Sequence, residues 1–448
     1  MRDRRQAALV LAMLVIGLPA GIFRLTCVAN TCAAVRSDDP GAVPFCSLPG
    51  ELRRRIAAGF REGRSPDVLA VTDRSVVVGG AGPWSSTGMP LWPALSPGPD
   101  TRVPVVFAGT GVRPDAEVPD GTTLDRIAPT VSEVLRFRRP FPDVRSGVPV
   151  PGLAGGGVPR LILEVAWRGI GTADLEAAPG DWPFLRSLLD DGAGTLGGEA
   201  GSLPVDPAAT LTTIGTGGLP SEHGITGTLL RNDRGHLVRA WGPGAPLSII
   251  ATLPEDLDEA LGQRPLVGLV ATDPADRGIV GGRWYVEHDR DVSRIAADTA
   301  SRLATVEQVL ARGFGRDGVP DILAVVSEGP VRALDGELRR IVGAAERASG
   351  GSLLVVVAGT GTMRLPDGAA AVPAPRLVER LNEIIGLGGR VVNAATPGGL
   401  FLDQDVLTRA GVTGGVAQEA LLEVEGPDGA PLVADAFQAF AVSFARYC

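Results

Sequence analysis

The side chains best suited to chemistry crowd into one stretch: Ser202, Asp206, Thr210, Thr212, Thr213 and His223. A hydroxyl, an imidazole and a carboxylate can build a nucleophilic site. This one would need His223 to swing toward a hydroxyl, and no Gly-x-Ser-x-Gly elbow accompanies it. Glu164 and Glu328 would be a carboxylate pair for sugar hydrolysis if they faced each other across a cleft. Histidine is scarce, with only His223, His236 and His288 in the chain. Glu287-His288-Asp289 offers metal-binding types, yet neighbours on an extended chain point to opposite sides. A two-metal site needs about six convergent ligands, which these positions do not assemble. All 42 basic residues are arginines, so Schiff-base chemistry and a Walker-type phosphate loop, which need lysine, are excluded. A net charge of −9 with no compensating basic stripe argues against nucleic acid as a partner. The Gly-rich turns 109–111 and 359–361 could receive an anion on backbone N–H groups, although no charged partner goes with them.

Within residues 202–227, Thr216-Gly217 is followed by Pro220-Ser221-Glu222-His223-Gly224-Ile225. This segment resembles the nucleophile region of the alkaline phosphatase superfamily, in its type I phosphodiesterase/nucleotide pyrophosphatase branch. Thr123-Leu124-Asp125-Arg126-Ile127-Ala128-Pro129-Thr130-Val131 is similar to that family's late Asp-Ile-Ala-Pro-Thr helix. The resemblance runs in patches over most of residues 64–365 and is specific on its own at 204–227 and 121–131. It implies a mostly parallel central sheet with helices on both faces. In the family it also implies two metal ions, usually zinc, held by Asp and His at strand ends.

Matched position by position, the family's site is replaced. The first Asp ligand falls on Trp167 or Arg168, and the nucleophile on Pro207, beside Asp206. Ser327-Glu328-Gly329 stands where an Asp and a Gly-His cluster should follow a strand. Ala358-Gly359-Thr360-Gly361 replaces a Ser-Asp-His-Gly turn, and Thr87-Gly88 is the best match to a late His-Gly. His223 matches a turn residue that is not a ligand. The resemblance therefore implies a retained scaffold with a vestigial site at Asp206, Pro207, Trp167, Arg168, Thr87, Glu328, Gly359 and Thr360. No catalytic residue and no cofactor are expected, and zinc only if the site has been rebuilt.

The elements that must position these residues alternate. Apolar runs at Asp67–Val71, Val103–Ala108, Arg160–Ala166, Pro265–Ala271, Asp321–Ser327, Ser352–Ala358, Arg390–Ala394 and Leu400–Asp403 predict strands buried on both faces, as in a parallel sheet. Helical patterns lie at 48–61, 182–190, 291–312, 336–348 and 375–385. The alternation argues for an α/β fold. Gly152–Gly157 reads as a linker, and residues 228–290 as surface loops or a cap. Val105–Gly111 is echoed by Val355–Gly361, which suggests two strand ends on one side of a sheet. The tail-like part, 64–150, precedes the head-like part, 158–448, so the chain resembles a circular permutation of the family order. That order places strands 67–71 and 103–108 in one sheet with 161–166 and 353–358.

Arg2, Arg4 and Arg5 precede an apolar run from Gln6 to Phe23, with Arg24 after it. Residues 1–26 read as an export signal, kept as an N-terminal membrane-anchor helix or cleaved as a signal peptide. A Cys-containing segment, 27–63, follows. The four cysteines, Cys27, Cys32, Cys46 and Cys448, lie only at the two ends, and disulfides are the default in an oxidising compartment. A zinc site is disfavoured because no His accompanies them. Permutation brings the ends together, which implies Cys46–Cys448 and leaves Cys27 with Cys32. The functional expectation is a catalytically inactive phosphodiesterase relative outside the cytoplasm that binds an envelope partner or ligand. Its rivals are an active phosphate-ester hydrolase with a rebuilt metal site, and a structural envelope protein that binds nothing in the old cleft.

Overall fold

The computed structural model describes residues 45–71, 76–79, 101–282, 291–362, 370–396, 398–426 and 429–443. The anchor or signal segment, Thr87, Glu287-His288-Asp289, Cys27, Cys32 and Cys448 lie outside them. Among the described residues, no helix is long and apolar enough to cross a membrane.

A seven-stranded sheet organises the larger part of the chain. Its order is Ala193–Glu199, Arg102–Gly109, Leu353–Gly359, Leu161–Trp167, Asp321–Ser327, Val267–Ala271 and Val292–Ile295. Only Arg102–Gly109 runs against the rest, so six strands are mutually parallel. Successive side chains along each strand feed two separate cores, as the period of two demands. Ile162, Ala166, Ile322, Ala324, Leu354 and Val356 pack under the helices Ile127–Val134, Pro207–Thr216 and Leu253–Ala260. Leu161, Leu163, Val165, Leu323, Val325 and Val357 pack under Pro183–Asp191, Thr299–Leu310 and Val331–Ser349. Both faces are covered, which is why these strands read as unbroken apolar runs.

Three predicted strands belong elsewhere. Val68–Val71, Val392–Thr396 and Gly399–Leu402 join Asp435–Gln438 in a second, fully antiparallel four-stranded sheet. Val68 and Ala70 face the helices Ala374–Ile385 and Gly415–Leu422, while Leu69 and Val71 face Phe45, Leu52, Ile56 and Phe437. An unbroken apolar run reports burial on two sides and carries no information on strand direction. Residues 64–150 are thus divided: Val68–Val71 lies in the second sheet, and Arg102–Gly109 and Ile127–Val134 in the main layer.

Three local readings also change. The predicted helix 291–312 is the edge strand Val292–Ile295 followed by a helix that starts at Thr299, because Asp298 caps it by accepting from the Ser301 N–H at 2.9 Å. The segment 152–157 is tied down at its centre, although Gly152, Gly156 and Gly157 are exposed: Leu153 is buried, and Gly155 N–H donates to the Gly111 carbonyl at 2.9 Å. The echoed strands pair antiparallel, Val356 opposite Phe107, so their Gly-rich turns lie at opposite edges of the sheet.

Candidate functional site

In a parallel sheet, ligand sites form beyond the carboxyl ends of the strands. Here that edge is built by Arg168 after the central strand Leu161–Trp167, Glu328 after Asp321–Ser327, Thr360 after Leu353–Gly359, and Asp273 and Asp276 after Val267–Ala271. Arg168 N–H donates to the Ser327 carbonyl at 2.8 Å and Gly169 N–H to Thr360 Oγ1 at 2.9 Å, which fastens the three central strand ends together.

The centre of the cluster is the Arg168 guanidinium. Its Nε lies 3.0 Å from Asp276 Oδ1 and its Nη1 3.1 Å from Glu328 Oε2. Asp276 is wholly buried and also accepts from Thr272 Oγ1 at 2.8 Å and Asp273 N–H at 2.9 Å. Burial opposes the charge on Arg168, but Asp276, Glu328, Asp273 and Asp206 outweigh it and hold its pKa above the ordinary arginine value. Burial pushes the Asp276 carboxyl up to about 6, against the pull of Arg168. The two partners shift in opposed senses. At neutral pH the pair is ionic, because a guanidinium does not give up its proton. Asp273 is held below the usual carboxylate range: its burial is outweighed by Ala275 N–H, Arg239 and Arg168.

The helix Pro207–Thr216 points its N-terminus at this cluster. Asp206 is its cap, with Oδ1 accepting from Ala208 N–H and from Thr228 Oγ1, both at 2.9 Å, and Pro207 occupies the first turn, where no N–H is needed. Gly217 closes the helix at φ 73°, and Gly224 closes the one-turn helix Pro220–His223 at φ 77°. Glu222 accepts from the Leu219 N–H at 2.8 Å and from Ser146 Oγ at 3.0 Å. The Thr-Gly and Pro-Ser-Glu-His-Gly-Ile residues are therefore accounted for by helix capping and packing.

His223 is buried and acts structurally. Its Nδ1 accepts from Ile225 N–H at 3.1 Å, which leaves Nε2–H to donate to Thr213 Oγ1 at 3.1 Å. Burial, helped by Arg64, drives its pKa down to about 3. The Ser–His–Asp arrangement is thus not formed, since His223 faces a buried threonine and Asp206 is engaged as a cap. His236 is exposed at a hairpin turn. The carboxylate pair fails as well. Glu164 lies mid-strand opposite Ala324 and Val356, inside the core, whereas Glu328 sits past its strand and pairs with Arg168. Trp167 and Trp182 pack in one apolar core.

Zinc does not fit these residues. Among the described residues no imidazole faces the cluster, Asp206 Oδ1 and Asp273 Oδ1 cap helices, Asp273 Oδ2 pairs with Arg239, and Asp276 and Glu328 share the Arg168 guanidinium. Among the described residues, no group of three or more His, Cys, Asp or Glu is placed to hold a metal. The structure joins Asp206, Arg168 and Glu328, as matched in the sequence, and adds Asp273, Asp276 and Arg239, which the cap reading of 228–290 concealed. A signal was present: Asp273-Pro274-Ala275-Asp276 follows an apolar run with the spacing of a capping box.

These features define the class: a three-layer α/β protein with a mostly parallel sheet, whose strand ends carry an arginine-centred carboxylate cluster. No protein-family model matches the chain, and no curated protein matches it. Among solved structures, wild-type alkaline phosphatase PafA aligns with 59% of this chain and 76% of its own length at 13% identity, TM-score 0.41. A multiply substituted form of PafA aligns over the same shares at 12% identity and TM-score 0.41. Phosphonoacetate hydrolase from Sinorhizobium meliloti 1021, solved with phosphonoacetate, aligns with 44% of this chain at 20% identity, TM-score 0.30. The aligned part spans 55% of that hydrolase. At these TM-scores the likeness carries no conclusion about the site.

Proposed function

We propose that this chain is a permuted, catalytically inactive relative of the metal-dependent phosphodiesterases of the alkaline phosphatase superfamily, held outside the cytoplasm, where it binds an envelope partner or ligand. The observation that supports it most is Arg168. A guanidinium between Asp276 and Glu328 at the strand ends supplies internally the positive charge that a phosphoryl-transfer site takes from metal ions. Pro207, at the nucleophile position implied by the family resemblance, has no hydroxyl, and three hydroxyls of its helix are engaged: Thr212 and Thr216 donate to carbonyls one turn back, and Thr213 pairs with His223.

The second reading, an active phosphate-ester hydrolase with a rebuilt site, draws on the convergence of Asp206, Asp273, Asp276 and Glu328 around one cation. Zinc content and turnover of nitrophenyl phosphate esters by the purified protein separate the two. The first reading expects neither; stoichiometric zinc with turnover supports the second.

A further inference from the structure

The strap 138–148, which crosses the outside of the main layer, carries an exposed apolar tip. Phe141 is 77% exposed, Val148 53% and Val144 48%. Phe141 has φ 48°, a left-handed conformation that bulky residues rarely adopt. Arg145 is bonded to this turn: its Nη1 donates to the carbonyls of both Pro140 and Phe141, at 2.8 and 2.9 Å.

Arg145 also fixes the strap to the body: Nε donates to Thr216 O at 3.1 Å, and Nη2 to Asp256 Oδ2 at 3.0 Å and Ala251 O at 3.2 Å. The chain that leads into Ala251 carries Leu247 and Ile249, each 48% exposed. Arg136 and Arg138 flank the tip, and both are exposed, as is Asp143 within it. A strained aromatic held out of the fold, with aliphatic neighbours and flanking guanidiniums, has the chemistry of an interfacial lipid contact.

The chain outside the structure favours the same occupant. Residues 1–44 contain the apolar run Gln6–Phe23, bounded by arginines. About 20 residues separate Phe23 from Phe45, enough to span roughly 65 Å when extended. The helix Gly50–Gly59 follows, and past its C-terminus Arg61 Nη1 donates to Ser221 O at 2.9 Å, next to Glu222, which accepts from Ser146 Oγ.

We propose that the Phe141 tip, with Val144, Val148, Leu247 and Ile249, dips into the bilayer that the N-terminal segment enters, and so sets which face of the domain lies on the membrane. The proposal rests on the proposed location outside the cytoplasm and on the anchor alternative for residues 1–26. The test uses the full chain with Phe141→Trp, in vesicles of phosphatidylcholine and phosphatidylglycerol with brominated acyl chains. The expected result is that the emission added relative to wild type shifts to the blue and is mostly quenched by the bromolipid. A chain that stays on the vesicles while the added emission remains solvent-like and unquenched overturns the tip and leaves the anchor intact. A chain that does not associate overturns both. A blue shift without lipid that grows with protein concentration identifies a second copy as the occupant and also overturns the proposal.

Discussion

Arg168 and Glu164 show two ways in which a buried charge is tolerated. Arg168 is surrounded by carboxylates, so the cluster is an ionic network whose members need one another. Arg168→Met leaves Asp276 wholly buried without its cation, which should cost about 3–5 kcal/mol in urea denaturation. Adding Asp276→Asn should restore most of the loss; an unchanged midpoint in the single variant contradicts the network. Glu164 takes the other route. Its Oε2 has no hydrogen-bond partner, and burial lifts its pKa to about 8 despite Arg139. A carboxyl with a folded pKa above its unfolded value of 4.5 adds stability that is complete below about 4.5 and is lost as the pH rises through 8. Glu164→Gln should therefore gain on wild type with rising pH, by on the order of 2–5 kcal/mol at pH 9. Melting curves from pH 5 to 9 that stay parallel would show that Glu164 is ionised in the fold.

At the scale of elements, the helix Pro207–Thr216 is buried along its whole length and needs glycine where it meets the short helix Pro274–Ile279. A Cβ on Gly215 would lie 2.4 Å from Ile279 O and 2.6 Å from Gly278 O, both backbone atoms that cannot give way cheaply. Gly215→Ala should destabilise by about 1–3 kcal/mol and unsettle Asp273 and Asp276, which lie at the same contact. A neutral thermal shift would mean that the helices are not in that register. Much of the sheet was legible in the sequence because two-sided burial leaves long apolar runs at 160–166, 321–327 and 352–358. What was not legible is direction. Val68–Val71 and Leu161–Trp167 look alike as strings, and only long-range pairing separates an antiparallel sheet from a parallel one. The site was half legible for a related reason. Arg168 and Glu328 stood out as residues that break a known pattern, whereas Asp276 lay in a stretch with no pattern to break.

At the scale of the molecule, the two ends of the described chain meet. Phe45 lies 5.2 Å from Phe437, ring to ring, and Val442 shares an apolar core with Phe45, Leu48 and Leu52. Cys46 is disulfide-bonded. We expect its partner to be Cys448, with Cys27 joined to Cys32. In the loop-entropy picture, a closure that long stabilises the fold by at most about 6 kcal/mol. Non-reducing peptide mapping should recover a Cys46–Cys448 peptide; a link from Cys27 or Cys32 to Cys448 contradicts it.

The proposed function turns on the arginine at the strand ends, which pairs with Asp276 and Glu328 there. Metal-assisted phosphoryl transfer depends on cations and an activated nucleophile acting as a unit, so on the proposed reading adding one ligand is not expected to produce it. The most direct test is turnover of nitrophenyl phosphate mono- and diesters by the purified protein, with and without added zinc. No hydrolysis above buffer in either condition is the predicted result. Zinc-dependent hydrolysis by the wild type that disappears in Asp206→Ala would contradict the account and place Asp206 in a working site.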